Sequence, residues 1–254
     1  MRLLPAALAV LLLAGCAADQ PVAVAPTVEP SPTATPPPAP VVLQPGDNVT
    51  VLAEGLEAPW SIARLRSGST LISERDSGRI MELTAAGGIR VVGTVRIHSG
   101  GEGGLLGLAY ARSGHWLFAY LTSDSDNRIV RYDLEGEAGS YSLGASVDIL
   151  TGLAAARNHN GGRIKIGPDG LLYVAVGDAG NPWTAQDLTT NNGKILRVEL
   201  DGSIPRDNPF PGSLIYSFGH RNPQGLAWDA KGQLWSSELG QDTWDEFNRI
   251  IPGG

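Results

Sequence analysis

Cysteine is nearly absent: the 254 residues include one, Cys16. No intrachain disulfide can form, and the body of the chain offers neither a thiolate metal site nor a nucleophilic thiol. Basic residues are also scarce, with 19 Lys and Arg against 26 Asp and Glu and a net charge of -7. No local Lys/Arg cluster offsets that balance, so the basic face that a phosphate backbone requires is missing and nucleic acid is excluded as a partner class. Four histidines without HxxxH-type spacing give no zinc signature. No segment of useful length carries a helical apolar period. What the chain has in quantity is glycine, 33 residues, and proline, 18, a composition of turns rather than helices.

The prolines concentrate early. Residues 1–16 read as an export signal: Met1-Arg2, an apolar run from Leu3 to Ala14, then Gly15-Cys16. That run is too short to span a bilayer comfortably. The Leu13-Ala14-Gly15-Cys16 ending resembles a bacterial lipoprotein signal, which makes Cys16 the expected lipidation site and the outer face of the cell membrane the expected location. Residues 17–48, rich in Pro, Ala, Thr and Val and including Pro36-Pro37-Pro38-Ala39-Pro40, are expected to be a semi-rigid spacer. The folded domain is expected over 49–254.

Within that domain one pattern recurs: a glycine-containing lead-in, an apolar strand, a glycine turn, a second apolar strand and a polar residue. It runs from Pro59 to Glu74, from Gly104 to Tyr120, from Asn158 to Asp178 and from Gly225 to Glu238. Its turn glycines, Gly68, Gly114, Gly170 and Gly232, recur every ~45–60 residues, the range of β-propeller blades. Each copy is followed by a segment suited to a further strand. The fold class expected is therefore all-β, a propeller with about four blades. A β-sandwich of unrelated hairpins is the alternative, but sandwich strands do not usually share a consensus.

Three lead-in loops carry candidate chemistry, and corresponding loops of successive blades line one face of a propeller. Glu102 sits among glycines in the second blade, His159 opens the third, and Arg221-Asn222 opens the fourth. The third hairpin also ends on Asp178, and a hairpin brings its termini together, so His159 and Asp178 have the makings of an oriented general base. Asp178 could equally close a turn on its own backbone. Arg221 has two open roles, gripping an anion or pinning a neighbouring loop. The acidic loop from Glu238 to Glu246 offers oxygen ligands of the kind calcium favours, though without EF-hand spacing.

Taken in order, Glu102-Gly103-Gly104-Leu105-Leu106-Gly107, His159-Asn160-Gly161-Gly162-Arg163, Gly167-Pro168-Asp169-Gly170, Gly177-Asp178, Gly219-His220-Arg221-Asn222-Pro223-Gln224-Gly225 and Glu238 through Asn248 resemble the soluble PQQ-dependent sugar dehydrogenases. This is the glucose/sorbosone dehydrogenase group of six-bladed propellers. The resemblance covers nearly everything from Val49 to Gly254. It implies an oxidoreductase that moves a hydride from the anomeric carbon of an aldose to pyrroloquinoline quinone (PQQ) beside calcium. By position it implies His159 as general base, Asp178 as its orienting carboxylate, Arg221 and Asn222 as quinone contacts, and Glu102 near the sugar. The backbone carbonyls of Gly240 and Gln241 are implied calcium ligands. Gln241 departs from a proline common in the family and Leu239 from a polar residue, and the later blades of the family pattern are not in the chain. The competing functions are a non-catalytic propeller used as a binding module and a calcium-dependent lactone hydrolase. The hydrolase ordinarily gathers side-chain carboxylates on its metal, whereas the candidate ligands here are carbonyls.

Overall fold

The computed structural model describes residues 50–254. The export signal ending at Cys16 and the Pro-rich segment 17–48 lie outside the described residues. The described part is one compact unit of four antiparallel sheets, each with strands in sequence order. The first blade is β1 (Pro59–Arg64), β2 (Thr70–Glu74), β3 (Arg79–Leu83) and β4 (Ile89–Thr94). The second is β5 (Leu105–Ala111), β6 (Trp116–Thr122), β7 (Asn127–Glu135) and β8 (Ser142–Leu153). The third is β9 (Gly161–Ile166), β10 (Leu172–Val176), β11 (Lys194–Val198) and β12 (Ile215–Phe218). The fourth has three strands, β13 (Pro223–Trp228), β14 (Leu234–Glu238) and β15 (Glu246–Arg249). The four repeated hairpins are the first two strands of the four blades, as a propeller requires.

The apolar runs of the second and third blades are nearly continuous because these blades are covered on both faces by their neighbours. With a side-chain period of two, β6 sends Leu117, Ala119 and Leu121 into the core shared with the first blade, where they meet Leu71 and Ile80. Its alternate residues Phe118 and Tyr120 enter the core shared with the third blade, against Val174, Leu196 and Ile215. β10 repeats the division, turning Tyr173 and Ala175 toward Leu226, Leu234 and Ile250 of the fourth blade. The innermost strands β1, β5, β9 and β13 are successive neighbours. Arg163 of β9 ties them together, donating to Ser61 Oγ and to the Gln224 carbonyl, each at 2.9 Å.

Every inner hairpin breaks register near the same end, between Pro59 and Ser61, Leu105 and Leu108, Val174 and Val176, and Pro223 and Gly225. Such bulges re-aim the chain where pairing stops, and here they sit beside the lead-in loops that carry the candidate residues. The turn glycines Gly68, Gly170 and Gly232 take φ of +91°, +84° and +79°, as the turns demand. Gly114 serves a different purpose. The left-handed residue of that turn is His115, at φ +52°, and Gly114 is needed because a Cβ there would strike the indole of Trp116.

Beyond the hydrophobic interfaces, the first and second blades are joined through Glu82, whose buried carboxylate accepts from Ser69 Oγ at 2.6 Å, the Gly139 amide at 2.7 Å and Arg90 at 2.8 Å. Burial alone would raise the Glu82 carboxyl, but these three donors hold it below its ordinary value. A carboxyl lowered in the folded state contributes fully above its unfolded pKa and loses that contribution as the pH falls through the folded value. Glu82→Gln is therefore expected to lower stability near neutral pH by about 2 kcal/mol, or about 4–8 °C in melting temperature. The gap from the parent protein should close on acidification, and a gap independent of pH would contradict this assignment.

Candidate active site

His159 is held from both sides. In the loop leading into β9, the Asn160 side chain accepts from Asn127 Nδ2 at 2.9 Å and from the Ala156 amide at 3.1 Å, and donates to the Ala156 carbonyl at 2.7 Å. The Tyr120 hydroxyl donates to the Asn160 carbonyl at 2.8 Å. This bracing keeps His159 at φ +59°, a left-handed conformation uncommon for a residue other than glycine. On the other side, Gly177 lies so close that a Cβ would strike the His159 carbonyl, which also accepts the Ala179 amide at 3.1 Å.

The result is a His159 Nδ1 to Asp178 Oδ1 contact of 2.8 Å. The same Oδ1 accepts the Gly180 amide at 2.8 Å, so Asp178 closes a turn and orients the imidazole at once. An acceptor at Nδ1 fixes the proton of the neutral ring there and leaves Nε2 basic. Among the described residues Nε2 has no hydrogen-bond partner.

Glu102 and Asn222 join this arrangement from behind. Glu102 Oε2 accepts the His159 amide at 2.8 Å and Asn222 Nδ2 at 3.2 Å, and Asn222 Oδ1 accepts the Gly161 amide at 3.0 Å. Loops from three blades thus converge on the backbone of His159 and Gly161. Asn222 is completely buried with both ends of its amide engaged, so it braces the His159 loop. Glu102 likewise turns an oxygen onto the backbone of His159, and neither residue lines the cavity described below.

Arg221 pins a neighbouring loop. Its Nη1 donates to the Leu239 carbonyl at 2.9 Å and its Nε to Gln241 Oε1 at 3.2 Å, pinning the loop after β14. No carboxylate pairs with its guanidinium among the described residues, so its charge stays available to an anion. In that loop Gly240 donates its amide to Asp245 Oδ1 at 3.2 Å and must be glycine because a Cβ would strike the Trp244 carbonyl. Among the described residues no cluster of three or more His, Cys, Asp or Glu side chains is placed to hold a metal.

Two features escaped the sequence reading. One is a buried pair, His220 Nδ1 to Glu238 Oε1 at 2.5 Å; the equal intervals separating His98, His159 and His220 could have flagged it. The other is Lys194, fully buried, which anchors a short helix, α1 (Pro182–Gln186), that no apolar period announces. Between these elements lies a cavity of about 540 Å³ lined by His159, Asp178, Pro182, Gln186, His220 and Arg221, among others. It combines an oriented base with a cation and has a volume suited to a small organic ligand.

Residues 56–254 match the family model described as Glucose / Sorbosone dehydrogenase. The chain belongs to this family. It is 32% identical over 241 residues to quinoprotein glucose dehydrogenase B of Acinetobacter calcoaceticus, covering 80% of this chain and 50% of that protein. To the aldose sugar dehydrogenase YliI of Escherichia coli K12 it is 31% identical, covering 79% of this chain and 58% of the other. The solved PQQ-bound aldose sugar dehydrogenase of Streptomyces coelicolor superposes with a TM-score of 0.77 at 46% identity, over 81% of this chain and 63% of that one. The chain thus spans about half the length of the curated relatives it matches. The four blades found here superpose on the matched part of that structure.

Proposed function

We propose that this chain forms the catalytic face of a PQQ-dependent aldose dehydrogenase. The observation that carries the proposal is the His159–Asp178 pair, 2.8 Å apart, lining the same cavity as the Arg221 guanidinium. An anionic, planar cofactor fits the residues present: Arg221 supplies a charge without a carboxylate partner, and the cavity is large enough for a fused-ring ligand.

In this scheme His159 Nε2 takes the proton of the anomeric hydroxyl while the anomeric C–H leaves as hydride. Asp178 stabilises the imidazolium that forms and keeps the ring oriented. Arg221 would hold an anionic cofactor by its charge, and the backbone carbonyls of Gly240 and Gln241 would serve calcium, a hard cation suited to oxygen ligands. When bound, PQQ polarised by calcium supplies the two-electron acceptor. Glu102 and Asn222 keep His159 in place, and the sugar leaves as its lactone.

The test is to titrate the protein with PQQ at saturating calcium and follow glucose-dependent reduction of a dye. A rate that requires both additions is expected. Absence of PQQ binding together with absence of a sugar-dependent rate would overturn the proposal.

A further inference from the structure

The His159–Asp178 pair has counterparts on the neighbouring blades at the same end of the sheet. His98 Nδ1 lies 3.4 Å from Asp124 Oδ1, and Asp124 follows β6 at the interval by which Asp178 follows β10. His220 Nδ1 meets Glu238, the last residue of β14. Burial grades the three. The His98 and Asp124 side chains are both 64% exposed, His159 and Asp178 are 12% and 4% exposed, and His220 and Glu238 are 7% and 3% exposed. The first is an ordinary surface pair. The second borders the cavity with a ring nitrogen available. The third is the most buried, reaching the same cavity through the edge of His220 with both ring nitrogens engaged, and its connections lead elsewhere.

Glu238 is held by three donors: His220 Nδ1 at 2.5 Å, the Arg221 amide at 3.2 Å and Asn248 Nδ2 at 3.2 Å. The Arg221 peptide is therefore fixed on its amide side by Glu238, and its carbonyl accepts the Asp178 amide at 2.9 Å. The residue after Glu238 is Leu239, whose carbonyl receives the Arg221 guanidinium. One buried carboxylate thus controls the backbone from which Arg221 projects, the strand end that receives its guanidinium, and the peptide that abuts Asp178. The His220 ring also approaches Ser217 Oγ at 2.9 Å, but that hydroxyl is buried and donates to the Gly254 carbonyl, so this set is no hydrolytic triad.

We infer that Glu238, with His220, is a positioning residue that sets Arg221 for an anionic cofactor and links that setting to the His159–Asp178 base. The inference rests on the functional reading above for the identity of the anion. Glutamine at 238 keeps the shape but offers one acceptor oxygen where three donors converge, so Arg221 should lose its fixed geometry.

The experiment compares the parent protein, Glu238→Gln, Arg221→Gln and the double variant, with His220→Gln as a milder change in case Glu238→Gln does not fold. PQQ dissociation constants are measured by fluorescence quenching at fixed calcium, and melting temperatures confirm folding. Glu238→Gln should weaken PQQ binding roughly tenfold, yet add less than about twofold in the Arg221→Gln background, because it acts through that residue. Unchanged affinity, or effects that multiply independently, would overturn the inference. Should the parent protein bind no PQQ, the functional reading fails on its own. The inference is then decided by the Arg221 Nε–H resonance, assigned by its loss in Arg221→Gln. A resonance shifted or broadened in Glu238→Gln or His220→Gln supports it, and an unaltered one overturns it.

Discussion

His159→Asn is expected to lower the sugar-dependent rate by about 10²–10⁴-fold, the usual worth of a positioned general base, while leaving PQQ affinity nearly unchanged. Asparagine is the informative replacement because position 159 has φ +59°, a conformation that asparagine tolerates far better than alanine. His159→Ala should lose the same activity and also be less stable by about 1 kcal/mol. Initial rates with PQQ and calcium, set beside melting curves, separate the two effects. The affinity should persist because the proposed cofactor contact is Arg221, held from the fourth blade through Leu239 and Gln241. A His159→Asn protein that turns over at the parental rate would remove the base from the mechanism.

The second large effect is on stability. Lys194 has no exposed surface, and its ammonium donates to the carbonyls of Thr184 at 2.6 Å, Asn192 at 2.8 Å and Ala185 at 3.0 Å. Two of these belong to α1, where Thr184 also accepts the Asp187 amide at 3.2 Å and Ala185 the Gly219 amide at 2.8 Å, so the ammonium adds a second donor to each. Lys194→Met fills the space but removes the ammonium, and hydrogen bonds from a charged group are worth about 1.5–3 kcal/mol each. With some recovery by water, a net loss of about 3 kcal/mol is expected, or about 6–12 °C in melting temperature.

The pH dependence has a defined sign. Burial pushes the Lys194 amine down to about 8 from its ordinary 10.5, with Asp187 holding it up in part. Between those values the unfolded chain holds more protons than the folded one, so the parent protein gains on Lys194→Met as the pH rises through that window. A variant melting with the parent protein at every pH would show that Lys194 is not an anchor. Because Pro182, Ala185 and Gln186 line the cavity, a loosened α1 should also disturb its wall.

The hairpins were legible because strand periodicity and turn glycines are local properties. Gly68, Gly170 and Gly232 announce turns by the φ they permit. Gly114 looks identical in sequence and is required by the ring of Trp116, a contact that the spacing of turns does not reveal. The five residues of α1 are too few to show a period and are held by a lysine from β11. Among the site residues, His159 and Asp178 were legible as a pair because one hairpin carries both. The bonds that Asn222 and Glu102 make to the His159 loop join separate blades, and no local spacing announces them.

The amino-acid sequence by itself determined the all-β class, the blade repeat, the gathering of candidate loops on one face and the His159–Asp178 dyad, since each follows from alternation, turn chemistry and hairpin closure. Only the tertiary structure decided which polar groups face the cavity and which are sealed behind it. Asn222 meets Gly161 and Glu102 from two other blades, and Glu238 meets His220, Arg221 and Asn248. Whether an amide or carboxylate is a ligand or a brace depends on burial and on the donors that burial brings to it. Those donors come from segments far apart in the chain, where no local pattern records them.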